Sequence, residues 1–572
     1  MTGVDAGRHR GAQARTTGRT GERADAVPGN GGAHDASGAS GGPGAQGAGA
    51  RRSLAERLLV PVIPGILGLI TGLYHLGVPP LWRDEAATKA IASRSVGQIL
   101  ATMPHDDVVH GAYYLVIHVV IRHLGSSDGA LRLPSVLAMA VACAFTALIA
   151  KRLTRAAGHL LAWCTGLTAG VVFALLPATI SYAQEARSYA IVTMMATIAT
   201  YLLLRAIDDG RRRWWACYAA AIFLTGLFNV FGLLLLVAHA LTMLAAAERG
   251  PGRRPLRARL SWYAASAVAV TLVLPVVILA YGQRNALSWM SGSASIHGDI
   301  VALAHLWAGP SSLGWVGFGL AAFGAALSAA PGGVTGWRDL TAGTVALPWM
   351  VVPPVFLLTV STVHLVYDQR YVEFCLPAFA ICVASGITWL WRLHAIALGA
   401  GTGGDRTGFG RPVLAWLAPL PAVAVAAALV VALQPADAAV RQPGYSPDNL
   451  ESEAQIIAKY ARPGDIVFYI PPNDRIVSMP FPGPWRKLRD IALDRSPVSS
   501  DTLYGTDVTP AELFKRYTHV SRVWVVTSST VDYMNSARAT PLDREEASLV
   551  KATHKRRTWR DGDTQLTLYA AR

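Results

Sequence analysis

The stretch His110-Gly-Ala-Tyr-Tyr-Leu-Val-Ile-His-Val-Val-Ile-Arg-His-Leu124 decides how the rest of the chain is threaded. It is apolar but short, whereas a helix crossing a bilayer needs about 20 apolar residues. If it crosses, every later loop changes side. Read as non-spanning, it leaves Lys151, Arg152 and Arg155, then Arg205 and Arg211 to Arg213, then Arg249, Arg253, Arg254, Arg257 and Arg259 on one side. The intervening loops carry one basic residue each, Arg187, Arg284 and Arg370. The positive-inside bias puts the dense set in the cytoplasm. Residues 78–132 then form one long outer loop, with 110–124 an interfacial or re-entrant helix.

Composition agrees with a membrane protein. Of 572 residues 52% are hydrophobic and 15% charged, against about a quarter charged in a soluble domain. The net charge of +15 sits in short clusters between apolar runs, so nucleic acid is excluded as a partner. Lysine is scarce beside arginine, and Ala and Gly abound, the usage of a GC-rich bacterial genome. The apolar runs fall at about 58–77, 133–150, 159–177, 189–204, 214–229, 231–247, 262–281, 310–328, 345–364, 372–391 and 413–433, roughly eleven spans. An odd number places the C-terminus outside. The expected fold class is an α-helical polytopic membrane protein with a small C-terminal extracytoplasmic α/β domain.

The chain divides into three parts: 1–52, 53–434 and 435–572. Residues 1–52, rich in Gly, Ala, Arg and Ser, read as a disordered cytoplasmic tail. The first apolar run is long enough to act as an uncleaved anchor rather than a signal peptide. In 435–572 the apolar content falls to strand-length runs at 466–470, 523–527 and 566–570, with helical patterns near 449–461 and 510–518 and a Pro-rich loop at 471–484. Cys143, Cys164, Cys217, Cys375 and Cys382 lie in apolar segments without ligand spacing, so neither a disulfide nor a zinc site is expected.

Polar clusters beside the spans are the candidates for chemistry. Leu81-Trp-Arg-Asp-Glu85 follows the first span. It reads either as an interfacial Trp anchor with solvated charges or as a general base, Asp84 or Glu85, able to take a proton from a substrate hydroxyl. Asp106, Asp107, His110, Tyr113 and Tyr114 precede the short apolar stretch; orienting an acceptor suits them better than holding a divalent cation, for which their spacing matches no motif. Tyr182-Ala-Gln-Glu-Ala-Arg-Ser-Tyr189 lies at an outer turn, where the Arg187 guanidinium suits a phosphate or pairs with Glu185. Arg370, in Tyr367-Asp-Gln-Arg-Tyr371, is a second outer arginine, and the two would clamp one anionic headgroup if folding brings them together. His118, His239 and His364 read as packing residues. Phe481, Trp485, Arg486, Lys487 and Arg489 read as a charged solvated loop or a polymer-binding surface.

These motifs together resemble the GT-C fold glycosyltransferases that use polyprenyl-phosphate sugars, specifically the protein O-mannosyltransferase-like family. The resemblance rests on Trp-x-Asp-Glu after the first span, Asp107-Val-Val-His-Gly-Ala-Tyr-Tyr114, Ala130-Leu-Arg-Leu-Pro-Ser135, the 182–190 cluster and the late Gln369-Arg-Tyr371, in order over about 55–395. It implies an inverting transfer of mannose or a similar sugar from a polyprenyl-phosphate donor to a hydroxyl acceptor on a cell-wall glycan, lipid or protein at the outer face of a bacterial plasma membrane. By the same resemblance, Asp84 is the base and Glu85 its neighbour. Arg187 and Arg370, with Gln184, Glu185 and Tyr189, hold the donor phosphate, while Asp106, Asp107, His110 and Tyr113 shape the acceptor side. No metal or other cofactor is expected. The segment Val109-His-Gly-Ala-Tyr-Tyr114 departs from the commoner His-Pro-Pro-Leu-Tyr-Tyr form, which leaves the acceptor open.

Two other readings compete. A transporter or flippase of lipid-linked sugar places ionisable groups near the midplane and often shows paired repeats; here the charges gather at one face and no repeat is visible. A homologue that only binds lipid-linked sugar would have little need of intact acidic and arginine motifs.

Overall fold

A computed structural model describes residues 43–247, 253–284, 295–309, 314–329, 340–398, 417, 419–518, 521–528, 539–551 and 553–571, with side chains from Leu58 onward except at 247, 253–255, 329 and 528. The chain divides into two compact units, Met1–Leu54 and Ala55–Arg572, and the second holds every element after the first helix. Residues 1–42 of the expected disordered tail lie outside the described residues; the remaining ten already belong to helix α1, Pro43–Leu73.

Among the described residues, six helices are long and apolar enough to cross a membrane: Asp128–Leu153 (α5), Tyr189–Asp209 (α8), Leu256–Gly282, Ala342–Ser361, Gln369–Ala397 and Leu420–Val440. A seventh is added if His159–Ala174 (α6) and Pro177–Ala183 (α7), bent by 61°, count as one. The other expected spans are shorter apolar helices, Leu58–Leu73, Val230–Ala246 and Gly314–Ser328, and helix α9, Arg212–Phe228. Helix length alone therefore does not yield the count of eleven. The turn Val108–His110 leads into α4, Gly111–Leu124, whose 14 residues reach about 21 Å at 1.5 Å each, short of a ~30 Å hydrocarbon core.

Helices α5 and α8 both run away from a polar end. Near their starts lie Arg132, Ser135 and Tyr189; at their far ends Arg152 and Arg155 pair with Asp208. Small residues allow close helix contact. At Gly324 and Gly386 the backbones approach so closely that a Cβ on Gly324 would lie 2.3 Å from the Gly386 nitrogen.

The connection from 78 to 127 is built, not loose. Helices α2 (Arg83–Ala92) and α3 (Val96–Thr102) precede α4, and α3 is started by a capping box in which the Ser95 side chain accepts from Gln98 N and the Gln98 side chain from Ser95 N.

Residues 466–570 form a five-stranded sheet of order β2-β1-β5-β7-β6 and a two-stranded one of β3 and β4. The strands are β1 Ile466–Ile470, β2 Arg489–Asp490, β3 Leu493–Arg495, β4 Thr506–Asp507, β5 Arg522–Ser528, β6 His554–Asp561 and β7 Thr564–Ala570. Strand β1 pairs parallel with β5, and β5 antiparallel with β7. Three of these match the runs seen in the sequence, and the two helical patterns are Leu450–Tyr460 and Pro510–Arg516. The 471–484 segment, expected as a loop, winds into a 3₁₀ turn at Pro472–Ser478 and a short helix at Pro482–Trp485. One apolar cluster joins Ala86, Ala87, Ile91, Ile99 and Tyr114 of the 78–127 connection to Leu450, Ile457, Val477, Trp485, Leu503 and Trp524. The sheet region and the connection thus share a core.

Candidate active site

Asp84 and Glu85 open α2, where carboxylates are favoured by the exposed N–H groups of the first turn. Successive helical side chains diverge by about 100°, and these two go to different places. Glu85 is 1% exposed and paired with Arg132, at 2.8 Å to Nε and 2.6 Å to Nη2. It also accepts from Ala186 N at 2.8 Å. Arg132 in turn donates to the carbonyls of Leu76 and Pro79. Glu85 is therefore a buried tie between α2, α5 and the 184–188 turn, rather than the accessible neighbour of Asp84 that was expected. The role of Arg132 went unread in the motif, although an ionisable residue inside an apolar helix is itself a signal.

Asp84 faces the other way, with its side chain 31% exposed. Its Oδ2 accepts from Arg370 Nη1 at 2.7 Å and lies 3.8 Å from Arg187 Nη2. The two arginines, distant in sequence, thus converge on one carboxylate. Arg370 is the second residue of a 3₁₀ turn, Gln369–Cys375, capped by Asp368, whose carboxylate accepts from the Arg370 backbone N–H and pairs with its Nε, both at 3.0 Å. The guanidinium lies over the Trp82 ring, 5.4 Å from its centroid, a cation–π contact.

Arg187 is 6% exposed. Its Nη1 lies 3.6 Å from Asp107 Oδ2, and its Nε is buried without a partner among the described residues, a donor left over for an incoming acceptor. Tyr114 donates to Asp107. Asp107 adopts left-handed backbone angles, φ 53° and ψ 41°, a conformation Asp tolerates better than most residues. Burial opposes its ionisation, but the charges of His110 and Arg187 and the Tyr114 hydroxyl outweigh that and hold it below the usual carboxylate range. His110 Nδ1 bonds Ser188 Oγ at 3.0 Å, and the ring meets Tyr189 edge-on at 5.9 Å. Burial, reinforced by Arg187, drops His110 to about 4. It is neutral at pH 7. Burial raises Glu185 to about 8, with Arg370 opposing and Glu85 and Asp84 adding to the rise.

Three other expected site residues are engaged elsewhere. Gln184 donates to the carbonyls of Gly72 and Tyr74, satisfying the end of α1, so it is a packing residue rather than a phosphate ligand. Tyr113 is fully buried, with its hydroxyl 3.3 Å from Ser135 Oγ. Asp106 accepts from Leu503 N at 2.6 Å, which turns it toward the sheet region.

His118 and His239 are satisfied packing residues, bonded to Ala92 O and to Thr200 and Tyr218. His364 is exposed instead. Trp485 is buried in the shared core, and Lys89 lies over the Phe481 ring; this takes both aromatics out of a free polymer-binding surface. All five cysteines are free. Among the described residues no group of three or more His, Cys, Asp or Glu side chains is arranged to hold a metal ion.

The sequence profile described as dolichyl-phosphate-mannose-protein mannosyltransferase matches residues 111–279, a segment holding Arg132 and Arg187 but neither Asp84 nor Arg370. None of the curated proteins is a recognisable sequence relative. Among solved structures, the chain is similar to ArnT from Cupriavidus metallidurans in the apo state, at 13% identity and TM-score 0.52 over 92% of this chain and 98% of that one. The same protein bound to undecaprenyl phosphate matches at 13% identity and TM-score 0.50 over 89% and 97%. The Archaeoglobus fulgidus oligosaccharyltransferase tethered with an acceptor peptide matches at 11% identity and TM-score 0.45 over 83% and 69%. The chain has the GT-C membrane fold of these structures, and its 111–279 segment is similar to the dolichyl-phosphate-mannose-protein mannosyltransferase family.

Proposed function

We propose that the protein is an integral membrane glycosyltransferase that moves a sugar from a polyprenyl-phosphate donor to a hydroxyl acceptor at the outer face of the membrane. One observation carries this reading: the accessible Asp84 carboxylate lies between two guanidinium groups, Arg370 at 2.7 Å and Arg187 at 3.8 Å. A base beside a pair of phosphate-binding forks is what the transfer requires. The donor phosphate competes with Asp84 for the arginines, and its binding releases the carboxylate. The acceptor oxygen then attacks the anomeric carbon, its proton passes to Asp84, and the sugar–phosphate C–O bond breaks with its electron pair leaving on the phosphate. Attack opposite the departing phosphate inverts the anomeric centre. Stabilising the leaving charge is the term that usually contributes most, and it falls to Arg187 and Arg370.

The similar ArnT structure holds undecaprenyl phosphate, which supports a lipid-linked donor. The mannosyltransferase description of the matching family favours mannose, with a pentose as the alternative. The acceptor is a cell-envelope glycan, lipid or protein. The dense basic loops near Arg152, Arg155 and Arg211 to Arg213 favour a cytoplasmic far end, and hence an extracytoplasmic site and sheet region. No metal or other cofactor is required, because the arginines already meet the phosphate charge.

The test is purified protein in nanodiscs with a panel of polyprenyl-phosphate sugars, following release of polyprenyl phosphate. Turnover of one donor that vanishes in Asp84→Asn supports the reading and identifies the sugar. Equal rates in wild type and Asp84→Asn would sink it.

A further inference from the structure

Each of the two site carboxylates is preceded in sequence by a charged residue held by the C-terminal region. Before Asp84 stands Arg83. Its Nη1 pairs with Asp474, its Nε lies 3.4 Å from both Asp448 oxygens, and its Nη2 donates to Thr564 Oγ1 at 2.9 Å. Thr564 Oγ1 in turn donates to Asp448 Oδ1 at 3.3 Å. Before Asp107 stands Asp106, which accepts from Leu503 N at 2.6 Å. Close by, Arg94 bridges Thr102 Oγ1, at 2.7 Å, to the Thr502 carbonyl, at 2.8 Å.

The partners come from four places in the C-terminal region: Asp448 ahead of its first helix, Asp474 in the turn after β1, residues 502–503, and Thr564 at the start of β7. The apolar core shared by Ala86, Ile91, Ile99 and Tyr114 with Ile457, Val477 and Leu503 backs both grips.

We infer that the C-terminal region is a clamp that sets the aim and separation of Asp84 and Asp107, with Arg83 and Asp106 as its positioning residues. This rests on the transferase reading above. On a helix the azimuth of one side chain fixes that of the next, so holding Arg83 points Asp84 at Arg370. Asp107 has left-handed backbone angles, and holding Asp106 keeps that turn closed. Neither Arg83 nor Asp106 touches the arginines that would take the phosphate. Their loss should therefore disturb geometry and leave lipid-phosphate binding intact.

The experiment uses the full chain in nanodiscs, comparing Arg83→Met, Arg83→Lys, Asp106→Ala and Asp106→Asn with wild type. Three readouts are taken: turnover of the donor found in the panel, affinity for undecaprenyl phosphate, and hydrogen exchange of the backbone amides. Arg83→Met and Asp106→Ala are expected to lower kcat about 10- to 100-fold, the cost of a misplacement near 1 Å, at unchanged undecaprenyl phosphate affinity. Exchange should quicken in 83–92 and 105–112. Arg83→Lys keeps the charge and Asp106→Asn keeps an acceptor oxygen, so both should recover most of the rate. Unchanged kcat in both disruptive variants would overturn the clamp, as would a loss that only tracks the folded fraction. If wild type turns over no donor, the transferase reading fails and exchange alone decides: quickening confined to those two segments upholds the clamp, and its absence refutes it. If Arg83→Met does not fold, Asp106→Ala, which removes a single hydrogen bond, carries the test.

Discussion

Asp84 Oδ2 and Arg370 Nη1 are 2.7 Å apart although 286 residues separate them in the chain. Arg187, arriving from the turn before α8, reaches the same oxygen at 3.8 Å. With no substrate bound, the proposed base is occupied by the groups proposed to hold the phosphate. The two roles are therefore coupled: an anion that takes the arginines frees the carboxylate, and a carboxylate that loses its charge frees the arginines.

That coupling predicts opposite effects from one substitution. Asp84→Asn keeps the side-chain volume but removes the charge that competes for Arg370 and Arg187. Transfer should be lost, with at least a 100-fold fall expected for removing a general base. Affinity for undecaprenyl phosphate, measured on the same nanodiscs, should stay level or rise. A parallel fall in both would mean that Asp84 helps to hold the lipid rather than to activate the acceptor.

Arg187→Lys and Arg370→Lys keep the charge but lose the planar fork. A charge-assisted hydrogen bond contributes about 1.5–3 kcal/mol, so each change should weaken undecaprenyl phosphate binding about 10- to 100-fold, as read by a ligand-induced shift of the thermal midpoint. The larger effect is expected at Arg187, whose Nε is buried without a partner among the described residues and gains one when the phosphate arrives. Equal, small effects at both positions would place the phosphate elsewhere.

The Glu85–Arg132 pair, each side chain 1% exposed, is a stability element. Removing one member leaves an uncompensated buried charge, which costs about 3–5 kcal/mol. Glu85→Gln and Arg132→Met should each lower the thermal midpoint sharply. The double variant should lie well above the sum of the two losses, because it leaves no orphan. Additive losses would indicate that the two side chains act separately.

Much of this architecture is legible in the sequence because its causes are local. Apolar length marks most of the helices, the β-branched and aromatic runs around Phe468, Val525 and Leu568 mark three strands, and sparse arginines at one face mark the proposed anion site. What stayed hidden depends on partners far along the chain. Strand β6, His-Lys-Arg-Arg-Thr-Trp-Arg-Asp, carries no apolar pattern because, among the described residues, it is a sheet edge paired only with β7, and edges are commonly charged. Glu85 and Asp84 look alike in sequence, and only the position of Arg132 on α5 separates a buried tie from an exposed carboxylate. Arg83 reads as one more interfacial charge until Asp448 and Asp474 are brought up from the C-terminal region.

Chelation should leave turnover intact. In the proposed site the negative charge on the phosphate is met by Arg187 and Arg370, which cannot be stripped away as a metal can, and Arg187 keeps its charge at any working pH. Treatment with excess chelator, followed by removal of the chelator and assay with and without added divalent cations, should show no loss and no gain. A loss reversed by added magnesium or manganese would assign part of the phosphate charge to a metal.

Glu185 supplies the pH dependence. Burial raises it to about 8, Arg370 opposes, and Glu85 and Asp84 add to the rise, so at pH 7 its carboxyl is mostly neutral. As pH passes about 8 it becomes an anion beside Arg370 and Asp84, where it repels a phosphate. Undecaprenyl phosphate affinity should fall between pH 7 and 9, a range above the second ionisation of a phosphate monoester near pH 6, so the ligand's own charge is constant there. The linked effect on stability has a definite sign. The folded chain keeps a proton on Glu185 that the unfolded chain releases between 4.5 and about 8, so this group's contribution declines as pH rises through that window. His110 works in the opposite sense: held down to about 4 from 6.5, it binds fewer protons folded than unfolded, and its contribution is lost as pH falls from 6.5 towards 4. Glu185→Gln should flatten the affinity profile between pH 7 and 9 while leaving the acid-side loss of stability, to which His110 contributes, as in wild type. An affinity that falls equally in wild type and Glu185→Gln would assign the titration to another group.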